Sequence, residues 1–239
     1  MAKEKQQNPA GGKPGKQPKQ PGKGDGGKGG DKGGKGGKKA DLKMPSGPPR
    51  MQLMFTDVVR PKVREQFGIG NVHACPRPVK VTINMGIGDA HENKNLLEKL
   101  KGHLTQLSGQ ASLTTYARRS IAGFKLREGW ACGVKVTLRK ARMWYFLDKL
   151  VSLAIPRVRD FRGVNPDAFD KAGNYSLGLT EQGLFPEINM DKVEQNEIHG
   201  MTVVITFENS DPEKSRFTLA ELGMPFRREE VAPERRKRG

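Results

Sequence analysis

Residues 108–140 read SGQASLTTYARRSIAGFKLREGWACGVKVTLRK, and the end of this stretch decides the fold. Val134-Lys135-Val136-Thr137-Leu138-Arg139 alternates strictly between apolar and polar side chains. Successive residues of a strand face opposite ways, so Val134, Val136 and Leu138 share one face and Lys135, Thr137 and Arg139 the other. A second segment, Lys80-Val81-Thr82-Ile83-Asn84-Met85, repeats the pattern. Its apolar members are Val81, Ile83 and Met85, and its polar members are Lys80, Thr82 and Asn84.

Helical signals surround these strands. Leu96, Leu97, Leu100, Leu104 and Leu107 form one stripe over residues 93–107, closed by Ser108-Gly109. Met143, Phe146, Leu147, Leu150 and Val151 form another over 142–155, which Pro156 is expected to stop. Residues 51–67 read as a helix that Pro61 either kinks or restarts. A strand is expected at 112–118 and another at 202–207. The last helix is marked by Asp211 as N-cap, Pro212 at its first position and Gly223 past its end. Residues 157–190 carry Gly163, Gly173, Gly178, Gly183, Pro166 and Pro186 and read as long loops. The predicted architecture is α+β: a mainly antiparallel sheet with helices packed on one face and the other face open.

Helices with single apolar stripes can cover only one side of such a sheet. The uncovered side would present Lys80, Thr82, Asn84, Lys135, Thr137 and Arg139. A solvated face bearing Lys and Thr is common in antiparallel sheets, so alternation alone does not decide between an idle face and a binding one. The loop at 118–127, basic and flanked or occupied by Tyr116 and Phe124 for stacking, favours RNA.

The chain has 239 residues and a formal charge of +17, which divides into two kinds. Residues 1–50 carry 12 Lys and one Arg against four acids, with 14 Gly, seven Pro and no aromatic residue. Such a segment cannot bury enough apolar surface to offset its ordering entropy and reads as a disordered extension. Residues 51–228 read as one RNA-binding domain and 229–239 as a basic tail. A basic balance of this size favours a polyanionic partner over a small-molecule substrate. No apolar run is long enough to span a membrane. The start lacks the hydrophobic region of a secretory signal and the Arg and Ser of a transit peptide, which points to the cytoplasm. Cys75 and Cys132 read as reduced thiols.

Catalytic signals are weak. Asn84-Met85-Gly86-Ile87-Gly88 stands where a phosphate-binding loop would stand, but it is not GxGxxG and no Gly-Lys-Ser/Thr follows, so a tight turn is favoured. His73, His91, His103 and His199 lack metal-ligand spacing with one another or with the cysteines. No nucleophile elbow or carboxylate pair is recognisable. A non-enzyme without metal or cofactor is expected.

Beyond composition, the run Leu104–Ser120 resembles the signature of the large-subunit ribosomal protein L5 family, which binds 5S rRNA. Matching segments follow in order: KVTINMGIG at 80–88, AGFKLREG at 122–129, KVTLR at 135–139, RMW at 142–144, IPRVRDFRG at 155–163, GNYSLG at 173–178, FPEI at 185–188 and GMPFR at 223–227. The resemblance covers residues 51–228 and has the loops of the bacterial type. It implies a structural protein of the central protuberance, with 5S rRNA contacts at Asn84, Gln110, Thr137 and Arg139, supported by Lys80, Thr82 and Lys135. It implies a loop reaching peptidyl-site tRNA, with Arg118, Arg119, Ser120, Phe124, Lys125 and Arg127. It implies a bridge to small-subunit protein S13 through Arg157, Arg159, Asp160, Arg162, Asn174 and Tyr175. Other expected partners are 23S-type rRNA and neighbouring central-protuberance proteins, on a cytoplasmic ribosome or, alternatively, an organellar one. Departures include Lys140-Ala141, where the family commonly has Gly followed by an acid, and the N-terminal extension.

Overall fold

Strand β1 (Arg77–Gly86) runs through the middle of a five-stranded antiparallel sheet with β3 (Ala131–Arg139) on one side and β5 (Met201–Glu208) on the other. Short strands close the edges, β2 (Leu113–Tyr116) beside β3 and β4 (Tyr175–Leu179) beside β5. The structure, a computed structural model, describes residues 47–88, 90–190, 193–194 and 197–227. Residues 1–46 of the proposed disordered extension, 1–50, and all of the basic tail, 229–239, lie outside the described residues.

The helices are α1 (Arg50–Met54), α2 (Arg60–Phe67), α3 (Lys94–Ser108), α4 (Lys140–Lys149) and α5 (Pro212–Glu221). They pack on the face of Val81, Ile83, Met85, Val134, Val136 and Leu138, all buried. Leu100, Leu104 and Leu107 of α3 and Met143, Phe146 and Leu147 of α4 supply the opposing layer. Truncating any one of these to Ala would cost about 2–5 kcal/mol. The open face and the helical face thus follow from the alternation in β1 and β3.

Three expectations need correction, and a fourth, the helix over 51–67, is met with Pro61 in the first turn of its second half, α2. Residues 157–190 are not all loop: β4 pairs with β5 from Tyr175↔Ile205 to Leu179↔Met201. The first helix is broken by a π turn, Phe55–Val59, and a second π turn, Leu150–Ala154, follows α4. Each π turn ends two residues before a proline, Pro61 or Pro156. The amide just before each proline bonds one residue further back, Arg60 to Phe55 O and Ile155 to Leu150 O. The wider turn absorbs the N–H that proline lacks and the room that its ring requires. Pro156 therefore does not stop the chain at 155; a 3-10 turn carries it to Arg157. Asp211 occupies the N-cap of α5, but its side chain makes no cap bond and pairs with Lys214 at 2.5 Å.

Gly86-Ile87-Gly88 is a tight turn. Ile87 is buried, and its N–H donates to Cys132 O at 3.1 Å. Its amide is spent on β3, and α3 begins only at Lys94, so this segment forms no phosphate cradle.

Candidate nucleic-acid interface

Strand register assembles the open face into rows. Lys80 lies opposite Arg139, Thr82 opposite Thr137 and Asn84 opposite Lys135. Across β1 the same residues meet Thr206, Val204 and Thr202 of β5, and Ser176 and Gly178 of β4 extend the last two rows. Leu113 of β2 meets Lys135. Neighbouring strands stand about 4.8 Å apart, so each row is a line of closely spaced side chains. No acid occurs in these rows. Asn84, Lys135 and Arg139 are exposed, and Lys80, Thr82 and Thr137 are half-buried.

Within these rows the charge is uncompensated, the Arg77–Glu208 pair lying beyond them. Lys80 and Arg139 are directly opposed, and like charges at such positions repel. Among the described residues neither they nor Lys135 makes an ion pair. A polyanion laid across the rows would relieve that repulsion while meeting hydroxyl and amide groups. Gln110 sits at the rim. Its Nε2 donates to Thr137 O at 3.1 Å and its Oε1 accepts from Arg142 at 3.3 Å. The β2 pairing reaches only Lys135, so Gln110 satisfies a β3 carbonyl that β2 leaves open.

The basic loop is a hairpin extension. Ala117 N–H donates to Trp130 O at 2.8 Å and Gly129 N–H to Ala117 O at 3.0 Å, closing its neck. An Ile121↔Leu126 bridge closes its tip. Lys125 takes a left-handed backbone, φ 50°, beside Phe124, which is 79 % exposed. Ser120 accepts from Glu128 N–H and braces the loop. Arg127 lies over the Trp130 ring, 5.6 Å from its centroid. Arg118, Arg119 and Lys125 are exposed.

The third group does not assemble as expected. Tyr175 is fully buried: its hydroxyl donates to Asn165 O at 2.9 Å and its ring packs on Phe169 and Phe226. Burial pushes its phenol pKa up to about 12. Asn174 spends its carboxamide within the fold, accepting from Phe207 N–H at 3.0 Å and donating to Asp170 at 2.7 Å. That contact is also the chief reason the Asp170 carboxyl lies below its usual range. Tyr175 is therefore corrected from a surface contact to an internal support, while Asn174 stays half-buried beside it. Arg157, Arg159, Asp160 and Arg162 are not enclosed in this way and remain available.

Thr202, Thr206 and Ser176 share the open face but carry no signal of it in the sequence. The alternation of β5 is visible there, yet only pairing with β1 shows which of its faces joins Lys80 and Asn84. Among the described residues no group of three or more His, Cys, Asp or Glu side chains is placed to hold a metal, and Cys75 and Cys132 are both free thiols.

Two family models match the chain. The model of ribosomal protein L5 matches residues 71–127, and the model of the ribosomal L5 family C-terminus matches residues 131–226. Among curated proteins, the large ribosomal subunit protein uL5 of Microcystis aeruginosa is 47 % identical over 178 residues, covering 74 % of this chain and 98 % of the relative. That of Synechocystis sp. is 48 % identical over 178 residues with the same two coverages. That of Magnetococcus marinus is 47 % identical over 180 residues, covering 75 % and 96 %.

Proposed function

Since the chain belongs to the ribosomal protein L5 family, and is a structural, non-enzymatic constituent of the large ribosomal subunit, we propose that its open sheet face binds 5S rRNA. The observation that carries this reading is the register Lys80↔Arg139, Thr82↔Thr137, Asn84↔Lys135, an acid-free lattice of cations, hydroxyls and one carboxamide. Lys80, Lys135 and Arg139 meet phosphates, Arg139 through its planar fork. Thr82, Asn84 and Thr137 suit sugar hydroxyls, phosphate oxygens or base edges. Gln110 orients the β3 end and retains acceptor capacity for the RNA.

Two further contacts belong to the same proposal. The loop carrying Arg118, Arg119, Phe124, Lys125 and Arg127 reaches peptidyl-site tRNA, with Phe124 as its stacking residue. Arg157, Arg159, Asp160 and Arg162 face S13 on the small-subunit head. The site is a cytoplasmic, bacterial-type ribosome, where 23S-type rRNA and central-protuberance proteins are neighbours. The composition of residues 1–45 supports a polycationic role that adds sequence-independent rRNA affinity.

A gel shift of the full chain with 5S rRNA, against a transfer RNA control, tests the central reading. Wild type is expected to retard 5S rRNA preferentially, and Asn84→Ala with Arg139→Ala to lose that preference while remaining folded. Equal retardation of both RNAs would mark a generic polyanion binder, and an undiminished double variant would remove the face from the site.

A further inference from the structure

We propose that the neck of the basic loop holds a second RNA site, a slot for one unpaired nucleobase, distinct from the open sheet face. A cavity of about 500 Å³ opens beside the start of α3, walled by His91, Leu97, Tyr116 and Trp130, with Lys94 and Glu98 at its rim. Its size lies within the range typical of small-ligand sites.

The walls are arranged for a flat aromatic guest. The Trp130 ring stacks on His91 with centroids 4.3 Å apart and planes 14° from parallel. Arg127 also lies over the indole, so Trp130 is held as a fixed wall and the exposed Tyr116 ring is the one on which a guest can stack. Tyr116 is 61 % exposed at the end of an edge strand. Its position is set by a bulge: Thr115 pairs with Gly133, but Tyr116 pairs with Ala131, leaving Cys132 unpaired between them. Bulges at sheet edges re-aim side chains, and this one stands at the cavity. His91 Nδ1 is buried without a hydrogen-bond partner among the described residues.

Charge selects the guest. Lys94 is exposed and lines the cavity, and Arg127 packs on its Trp130 wall, so cations are at hand for a phosphate attached to the guest. Glu98, one helical turn along α3 from Lys94, can accept from an exocyclic amino group of a base. Aromatic walls with adjacent cations are the arrangement by which single-stranded nucleic acid is held without sequence readout. The cavity lies at the neck closed by Ala117 and Trp130, so an occupied slot would also fix the direction of the loop. The macromolecular class of the guest rests on the proposed RNA-binding role; the slot itself rests on separate residues.

The probe is a hexaribonucleotide of adenylate with one 2-aminopurine, whose fluorescence is quenched on stacking, titrated into the full chain. Wild type is expected to quench it. Tyr116→Ala should weaken binding by roughly five- to a hundred-fold, the range for loss of one base–aromatic stack, and Tyr116→Phe should retain it. Glu65→Gln, exposed on α2 outside both proposed sites, should quench as wild type does. Unchanged affinity in Tyr116→Ala, or equal affinity for an abasic hexamer, would each overturn the proposal. Quenching by a wild type that ignores 5S rRNA would sink the sheet-face reading and leave the slot standing.

Discussion

Replacing Lys80, Lys135 and Arg139 together by Gln is expected to change how 5S rRNA binding responds to salt, more than it changes the fold. The three side chains lie on paired positions of β1 and β3 and have no carboxylate partner among the described residues. Removing them leaves no buried charge behind and lifts the Lys80–Arg139 repulsion. Surface changes of this kind stay within about 0.5 kcal/mol, a shift of roughly 2 °C in melting temperature for a chain of this size. If each cation neutralises one phosphate, the slope of log affinity against log salt becomes shallower by roughly 0.9 per contact on duplex, about 2.7 in all, or about 2.1 on single strands. Over a fourfold rise, from about 50 to 200 mM, the gap between wild type and variant should close by about 40-fold on duplex. Filter binding at several salt concentrations, with circular dichroism for folding, measures this. Asn84→Ala with Thr137→Val serves as the contrast and should lower affinity with little change of slope. A folded triple variant whose slope equals that of wild type would refute the phosphate assignment.

Other outcomes follow from the same geometry. Gly133→Ala would place a Cβ 2.4 Å from Met85 O and 3.2 Å from Thr115 Oγ1, forcing the central strands apart. A loss of about 1–3 kcal/mol, several degrees by calorimetry, is expected. Tyr175→Phe should cost about 1 kcal/mol at neutral pH by leaving Asn165 O unpaired. Because the folded phenol pKa is raised to about 12, wild-type stability from this group is complete below about 10 and is lost as pH rises through 12. Denaturant melts should therefore show Tyr175→Phe losing less stability than wild type across that interval. Burial lowers the His103 pKa, so its contribution is present above the ordinary histidine pKa and is lost as pH falls through the depressed value. His103→Gln should flatten the mildly acidic part of the stability curve. Deleting residues 1–45 should make the salt slope for rRNA shallower; an unchanged slope would remove the extension from RNA binding.

Much of the fold was legible because its signals are local. The alternation at 80–85 and 134–139 and the leucine stripe of α3 need only neighbours in sequence to be read. The open face followed, since single-striped helices cover one side. What escaped depends on distant partners. β4 lies among glycines and prolines, and its place comes from pairing with β5. Tyr175 was placed at a bridge by resemblance alone, but Phe169 and Phe226 enclose it, and Phe226 is remote in sequence. Asn174 carries no pattern that distinguishes a partner-facing amide from one bonded to Phe207. The π turns could have been anticipated from Pro61 and Pro156, one inside an amphipathic run and one just past its end. The sheet-face residues on β1 and β3 were identified from alternation. Those on β5 needed the register, and the stack of His91 on Trp130 had no sequence signal at all.

Photo-crosslinking tests the central claim most directly. With benzophenone at Lys135, on the open face, the full chain should crosslink to 5S rRNA in an otherwise wild-type background. With the same group at Glu65, exposed on α2, it should not. Crosslinking from Glu65 in place of Lys135, or equal yields from both, would contradict the assignment of 5S rRNA to the open face.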